Sequence, residues 1–178
     1  MITPKIVAAE MFATRKHQKQ VRKYTGEPYI GHCRSVANTI AIFEPNEDTI
    51  CAALLHDTLE DTETSADEIE SLFGPQVAKL VGQVTDRFSS PYWGNRAKRK
   101  HAECVRLGNI SPEAQTIKLA DLIDNTRSIV QHDPGFAVVY LQEKEALLKV
   151  LTKGSPTLHV IATQHVKWGK EKLQELGL

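Results

Sequence analysis

No stretch of this 178-residue chain is long and apolar enough to cross a bilayer: runs such as residues 50–55 fall far short of the roughly 20 residues a spanning helix needs. The opening Met-Ile-Thr-Pro-Lys lacks the charged-then-apolar layout of a secretory signal. Cysteine is scarce. Cys33, Cys51 and Cys104 lie far apart without a Cys-x-x-Cys pair, an odd and sparse set that fits free thiols packed in the core of a cytoplasmic protein better than a disulfide framework. Net charge is lacking too, with 22 basic and 22 acidic residues, which argues against a broad basic surface for nucleic acid. Repeats, low-complexity tracts and long linkers are absent. One domain over residues 1–178 is therefore expected, with a core over about 5–152 and a terminal helix over about 157–173.

What is present is helical. At 41% hydrophobic and 25% charged the composition suits a folded protein, and apolar residues recur at three-and-four spacing rather than in alternation, so the expected fold class is all-α. Thr3-Pro4 opens a first helix to about residue 19, whose buried face reads as Ile6, Val7, Met11 and Phe12. Helices are further predicted over 31–43, from the cap Asn46, from the capping box Ser65-Ala66-Asp67-Glu68, and over 76–85, 97–107, 112–130, 136–151 and 157–173. Asp133-Pro134-Gly135 reads as a turn. The loop over 86–99 is the candidate mobile element and candidate lid.

The chemistry concentrates in three places. His56-Asp57-Thr58-Leu59-Glu60-Asp61 follows an almost wholly apolar helix, and four ionisable groups there are costly unless something satisfies them. On one continuous helix His56, Asp57, Glu60 and Asp61 would share an arc of roughly 140°. Along 118–128, Asp121, Asp124, Asn125 and Ser128 form a polar stripe on a second core helix. Gly26-Glu27-Pro28-Tyr29-Ile30-Gly31-His32 sets a histidine at a helix start after a constrained loop. His32, His56, Asp57 and Asp121 make a mixed nitrogen and oxygen donor set for one divalent metal, suited to manganese, iron or zinc, with the carboxylate share favouring Mn²⁺. Such an ion keeps positions for water and a substrate oxygen, and Glu60 and Asp61 stand where they would orient that water or take its proton. The reaction class is metal-assisted hydrolysis of a phosphoester or phosphoanhydride.

These motifs resemble the hydrolase domain of the RelA/SpoT proteins and the free-standing small alarmone hydrolases. The resemblance rests on 56–62, on 26–32 and on Lys118-Leu119-Ala120-Asp121 with Asn125 and Arg127. It implies an HD-domain helical bundle that removes the 3′-pyrophosphate from guanosine 3′,5′-bis(diphosphate) and the pentaphosphate with Mn²⁺. It implies metal ligation by His32, His56, Asp57 and Asp121, and a water-activating pair in Glu60 and Asp61. It implies substrate contacts from Arg22, Lys23, Asn125, Ser128 and Tyr140, though one extra residue (Tyr24 or Thr25) precedes the glycine. The chain ends where a long family member continues into synthetase and regulatory domains, so alarmone synthesis is not expected. The partner implied is a small nucleotide, with no nucleic acid and no membrane; the sequence is silent on oligomeric state. HD enzymes also act on NADPH, nucleoside monophosphates, deoxynucleoside triphosphates and cyclic dinucleotides, so another nucleotide is the alternative substrate. A non-catalytic sensing module is a third reading, opposed by the intact Glu60-Asp61 pair. Arg96, Lys98, Arg99, Lys100 and Arg106 form a basic cluster that reads either as a solvated helix face or as a phosphate contact.

Overall fold

A computed structural model describes residues 3–178, and among these the regular structure is helical, as the periodicity predicts. No described helix is long and apolar enough to cross a membrane. The chain forms two compact units, residues 1–85 and 86–178.

The first unit contains α1 (Pro4–Lys16), α2 (Ile30–Phe43), α3 (Glu47–Leu55), α4 (Thr58–Asp61), α5 (Ala66–Phe73) and α6 (Pro75–Val84). Helix α3 is its centre: every residue from Thr49 to Leu55 is buried, and α1, α2 and α6 pack around it. Such all-round burial is what an uninterrupted apolar stretch requires. Asn46 starts the helix by accepting from the Thr49 backbone N–H at 3.0 Å. Helix α1 presents Ile6, Ala9, Phe12 and Ala13 to the core, whereas Val7 and Met11 are exposed. The buried face is rotated from the expected one, because Ala9 and Ala13 rather than larger side chains carry the close contact. Phe12 meets Phe73 of α5 edge-on, with ring centroids 5.5 Å apart. Ser65 caps α5 by accepting from the Glu68 N–H at 3.1 Å, but the Glu68 carboxylate reaches Lys16 at 2.9 Å instead of closing the box.

The second unit contains a 3₁₀ turn at Pro91–Trp93, then α7 (Arg96–Leu107), α8 (Pro112–His132), α9 (Pro134–Leu148) and α10 (Pro156–Glu175). The predicted turn at 133–135 is instead a helix start: Asp133 caps α9, accepting from the Phe136 N–H at 3.2 Å. Helices α8, α9 and α10 pack on one another. Their approach is close at Gly169, where a Cβ would stand 3.0 Å from both Leu141 and Val130. Gln115, fully buried, fixes the start of α8. Its amide donates to the carbonyls of Leu107 and Gly108 at 3.1 and 3.2 Å and accepts from the Lys153 N–H at 2.8 Å. That anchorage holds the helix carrying Asp121. The loop preceding α7 is tied down by buried Glu103, whose carboxylate accepts from the backbone N–H groups of Arg87 and of Phe88, the latter at 2.8 Å.

Candidate metal centre

Helix α3 stops at Leu55, and the two residues that follow, His56 and Asp57, turn before α4 begins. The single continuous helix assumed for the 56–61 arc is therefore corrected. Side chains compete for the helical carbonyls here: the His56 Nδ1–H donates to the Ala53 carbonyl at 2.8 Å, and the Thr58 hydroxyl to the Leu55 carbonyl at 2.7 Å. The break aims His56 and Asp57 at His32, on the first turn of α2.

The three donors converge. His32 Nε2 lies 3.2 Å from His56 Nε2, His56 Nε2 lies 2.9 Å from Asp57 Oδ2, and His32 Nε2 lies 3.6 Å from that same oxygen. Both imidazoles are buried, and the Asp57 carboxylate is 19% exposed. A carbonyl only accepts, so the bond to Ala53 places the proton of a neutral His56 ring on Nδ1 and leaves the Nε2 lone pair facing the carboxylate. Two facing lone pairs at 2.9 Å repel unless a proton or a cation lies between them. Ligand atoms about 2.1 Å from one ion stand roughly 3.0 Å apart at right angles and roughly 3.4 Å apart in a tetrahedron. The three observed separations fall around these values, so His32, His56 and Asp57 fit one divalent cation.

Tyr29 supports the cluster, a role that its place in the motif does not reveal. Its hydroxyl donates to Asp57 Oδ2 at 2.7 Å, and its ring packs between His32 and His17, with centroids at 5.5 and 5.1 Å. An outer hydrogen bond of this kind orients a ligating carboxylate. Gln20 likewise donates to Asp61 Oδ2 at 2.9 Å. Glu60 and Asp61 are exposed on α4, one turn beyond Asp57. Thr58 and Thr62 bond the backbone locally, the latter through the Thr58 carbonyl at 2.6 Å.

Arg22 and Lys23 lie in the loop before α2. The Arg22 N–H donates to the Glu27 carbonyl at 2.8 Å, its carbonyl accepts from Gly26, and Gly26 turns the chain at φ 72°. Lys23 Nζ donates to the Tyr24 hydroxyl at 3.2 Å. The other expected site residues belong to the second unit. Asp121 on α8 accepts from the Asn125 side-chain amide at 2.5 Å and lies 3.4 Å from Lys118 Nζ. Ser128 is half-buried on the same helix, and its carbonyl accepts from His132 at 2.8 Å. Tyr140 on α9 is buried, its hydroxyl 3.2 Å from that of Thr126. Cys33 and Cys51 are buried core residues, and burial pushes the Cys51 thiol up to about 11.

An all-α protein with a His, His-Asp cluster at the end of its central helix defines a class, and a comparison with known families identifies it: the HD-domain family matches residues 9–146, and the chain belongs to that family. More particularly, it is 40% identical over 132 residues to human MESH1, a guanosine-3′,5′-bis(diphosphate) 3′-pyrophosphohydrolase, covering 72% of each chain. It is 42% identical over 124 residues to the enzyme of that same name from Aquifex aeolicus, covering 70% of this chain but only 18% of that longer protein. The solved structure of a metazoan SpoT orthologue, described as hydrolysing ppGpp, superposes with a TM-score of 0.85 at 28% identity over 94% of this chain and 97% of that one.

Proposed function

We propose that this chain is a metal-dependent hydrolase that releases pyrophosphate from the 3′ position of guanosine 3′,5′-bis(diphosphate) and of the pentaphosphate. The observation that carries the reading is the convergence of His32, His56 and Asp57 within a protein of the HD family. The named activity of the human and Aquifex relatives supports the substrate. On this reading the chain is one HD domain, with Asp121 as the fourth ligand and Mn²⁺ as the ion, in a cytoplasmic enzyme. The bound cation supplies Lewis acidity at the phosphate and lowers the pKa of water. Tyr29 orients the Asp57 carboxylate, and Glu60 with Asp61 positions the attacking water and takes its proton. Arg22, Lys23, Asn125, Ser128 and Tyr140 hold the nucleotide.

The test is direct. Purified protein with Mn²⁺ releases pyrophosphate from the tetraphosphate, and chelation stops the reaction. Absence of pyrophosphate overturns the reading. A parallel reaction with NADPH, followed by free phosphate, reports the alternative substrate.

A further inference from the structure

The second unit contains a cavity of about 490 Å³ among α7, α8 and α9, within the size range of small-molecule sites. Leu107, Val139, Ala146 and Leu147 contribute apolar side chains to its lining. Three lysines line it, one from each helix: Lys100, Lys118 and Lys144. The acids of the lining are already engaged. Asp86 pairs with Lys100 at 2.8 Å, Glu143 holds Arg96 with two bonds of 2.7 and 2.8 Å, and Glu103 bonds Arg106 at 2.7 Å.

Lys144 differs from its neighbours. It makes no hydrogen bond or ion pair among the described residues, and its ammonium sits 5.0 Å from the Tyr140 ring centroid. Burial, followed by the like charges of Lys118 and Lys100, outweighs Asp121 and Asp86 and pushes its pKa down to about 8. A half-buried cation crowded by two others weakens the fold, and an anion entering the cavity would relieve it. The Lys144 ammonium, with Lys100 and Lys118 contributed by the neighbouring helices, offers donors to an anion with many oxygens, while the apolar side chains of the lining suit a sugar or base. The cavity adjoins the proposed fourth ligand within its own unit, since Lys118 both lines it and lies 3.4 Å from Asp121.

We propose that this cavity is a subsite for the 5′-diphosphate of the nucleotide, the diphosphate that is not cleaved, and that Lys144 is the residue that binds it. The proposal rests on the alarmone reading above. It makes Lys144 a determinant of specificity, separating nucleotides that carry a second diphosphate from those that do not.

The test is steady-state kinetics of the full chain with Mn²⁺, comparing Lys144→Met and wild type on guanosine 3′,5′-bis(diphosphate) and on guanosine 3′-diphosphate. For the first substrate, KM rises about ten- to a hundredfold while kcat stays within about twofold, the loss expected for one charge-assisted contact. For the second, KM changes less than about twofold. Lys144→Arg retains a cation and recovers most of the affinity. An unchanged KM, or an equal rise with both substrates, overturns the proposal. Calorimetric binding of GDP and guanosine separates this outcome from failure of the alarmone reading. A preference for GDP that disappears in Lys144→Met supports the subsite even in a protein that releases no pyrophosphate, and its absence overturns the subsite even in an active enzyme.

Discussion

Replacing Tyr29 by phenylalanine removes one oxygen from the metal cluster and leaves the ring contacts with His17 and His32 in place. The lost bond is short, 2.7 Å, and its acceptor is an ionised carboxylate, Asp57 Oδ2, which also faces both histidines. Hydrogen bonds to charged groups contribute about 1.5–3 kcal/mol. Asp57 is 19% exposed and so is partly reached by water, which favours the lower end, about 1.5 kcal/mol. That corresponds to about a tenfold weaker Mn²⁺ affinity, within the roughly 10–100-fold range for outer-shell changes at metal sites. Titration of free Mn²⁺ against a chromophoric chelator measures it, and the Mn²⁺ concentration for half-maximal turnover should move by the same factor. Tyr29→Leu is the control, since it removes both ring and hydroxyl. Mn²⁺ affinity in Tyr29→Phe within twofold of wild type, with a loss confined to Tyr29→Leu, would refute the reasoning, because packing rather than the hydroxyl would then hold the carboxylate.

Glu60→Gln should lower turnover by at least about a hundredfold while leaving Mn²⁺ affinity unchanged, the signature of lost proton transfer; an active variant removes Glu60 from the catalytic pair. Glu103→Ala strands the N–H groups of Arg87 and Phe88 and breaks a buried pair with Arg106, so urea unfolding should show a loss of about 3 kcal/mol, and a loss under about 1 kcal/mol contradicts the tether. Lys144 has a folded-state pKa of about 8 against the usual 10.5, so its charge penalty is fully present below pH 8 and released as pH rises towards 10.5. Lys144→Met should therefore be the more heat-stable protein at pH 7, with the difference in Tm shrinking across that window; a constant difference counts against the shift.

Much of this organisation is legible in the residues themselves. The apolar stretch at 50–55 announces the central helix, and His56-Asp57 after it, with His32, announces the metal cluster. What the sequence hides depends on tertiary packing or on side chains competing with the backbone. The end of α3 at Leu55 has no glycine or proline to mark it; it accompanies side-chain donation to the Ala53 and Leu55 carbonyls, which a helical wheel ignores. The buried face of α1 is carried by Ala9 and Ala13, which contribute little to an apolar pattern yet permit close approach. Gln115 reads as an ordinary helix residue and is an interior anchor for two chain segments. Tyr29 stands inside a recognised motif, but only its 2.7 Å bond reveals its object. Lys144 is one lysine on a helix between glutamates, and nothing local distinguishes it from a solvated one.

The two clusters share a physical logic with opposite sign. In the first unit, buried nitrogen and carboxylate lone pairs face one another at 2.9–3.6 Å, an arrangement that a cation relieves. In the second, three ammonium groups line one cavity and one of them lacks an acceptor, an arrangement that an anion relieves. Neither arrangement benefits the fold by itself, and replacing either cluster with apolar residues would be expected to stabilise the protein. The proposed activity, which uses both a metal and a polyphosphate, would account for the two clusters in one chain. Removal of the unpaired lysine therefore offers the sharper discrimination: a structural role predicts lost stability with lost binding, whereas the functional role predicts gained stability with lost binding.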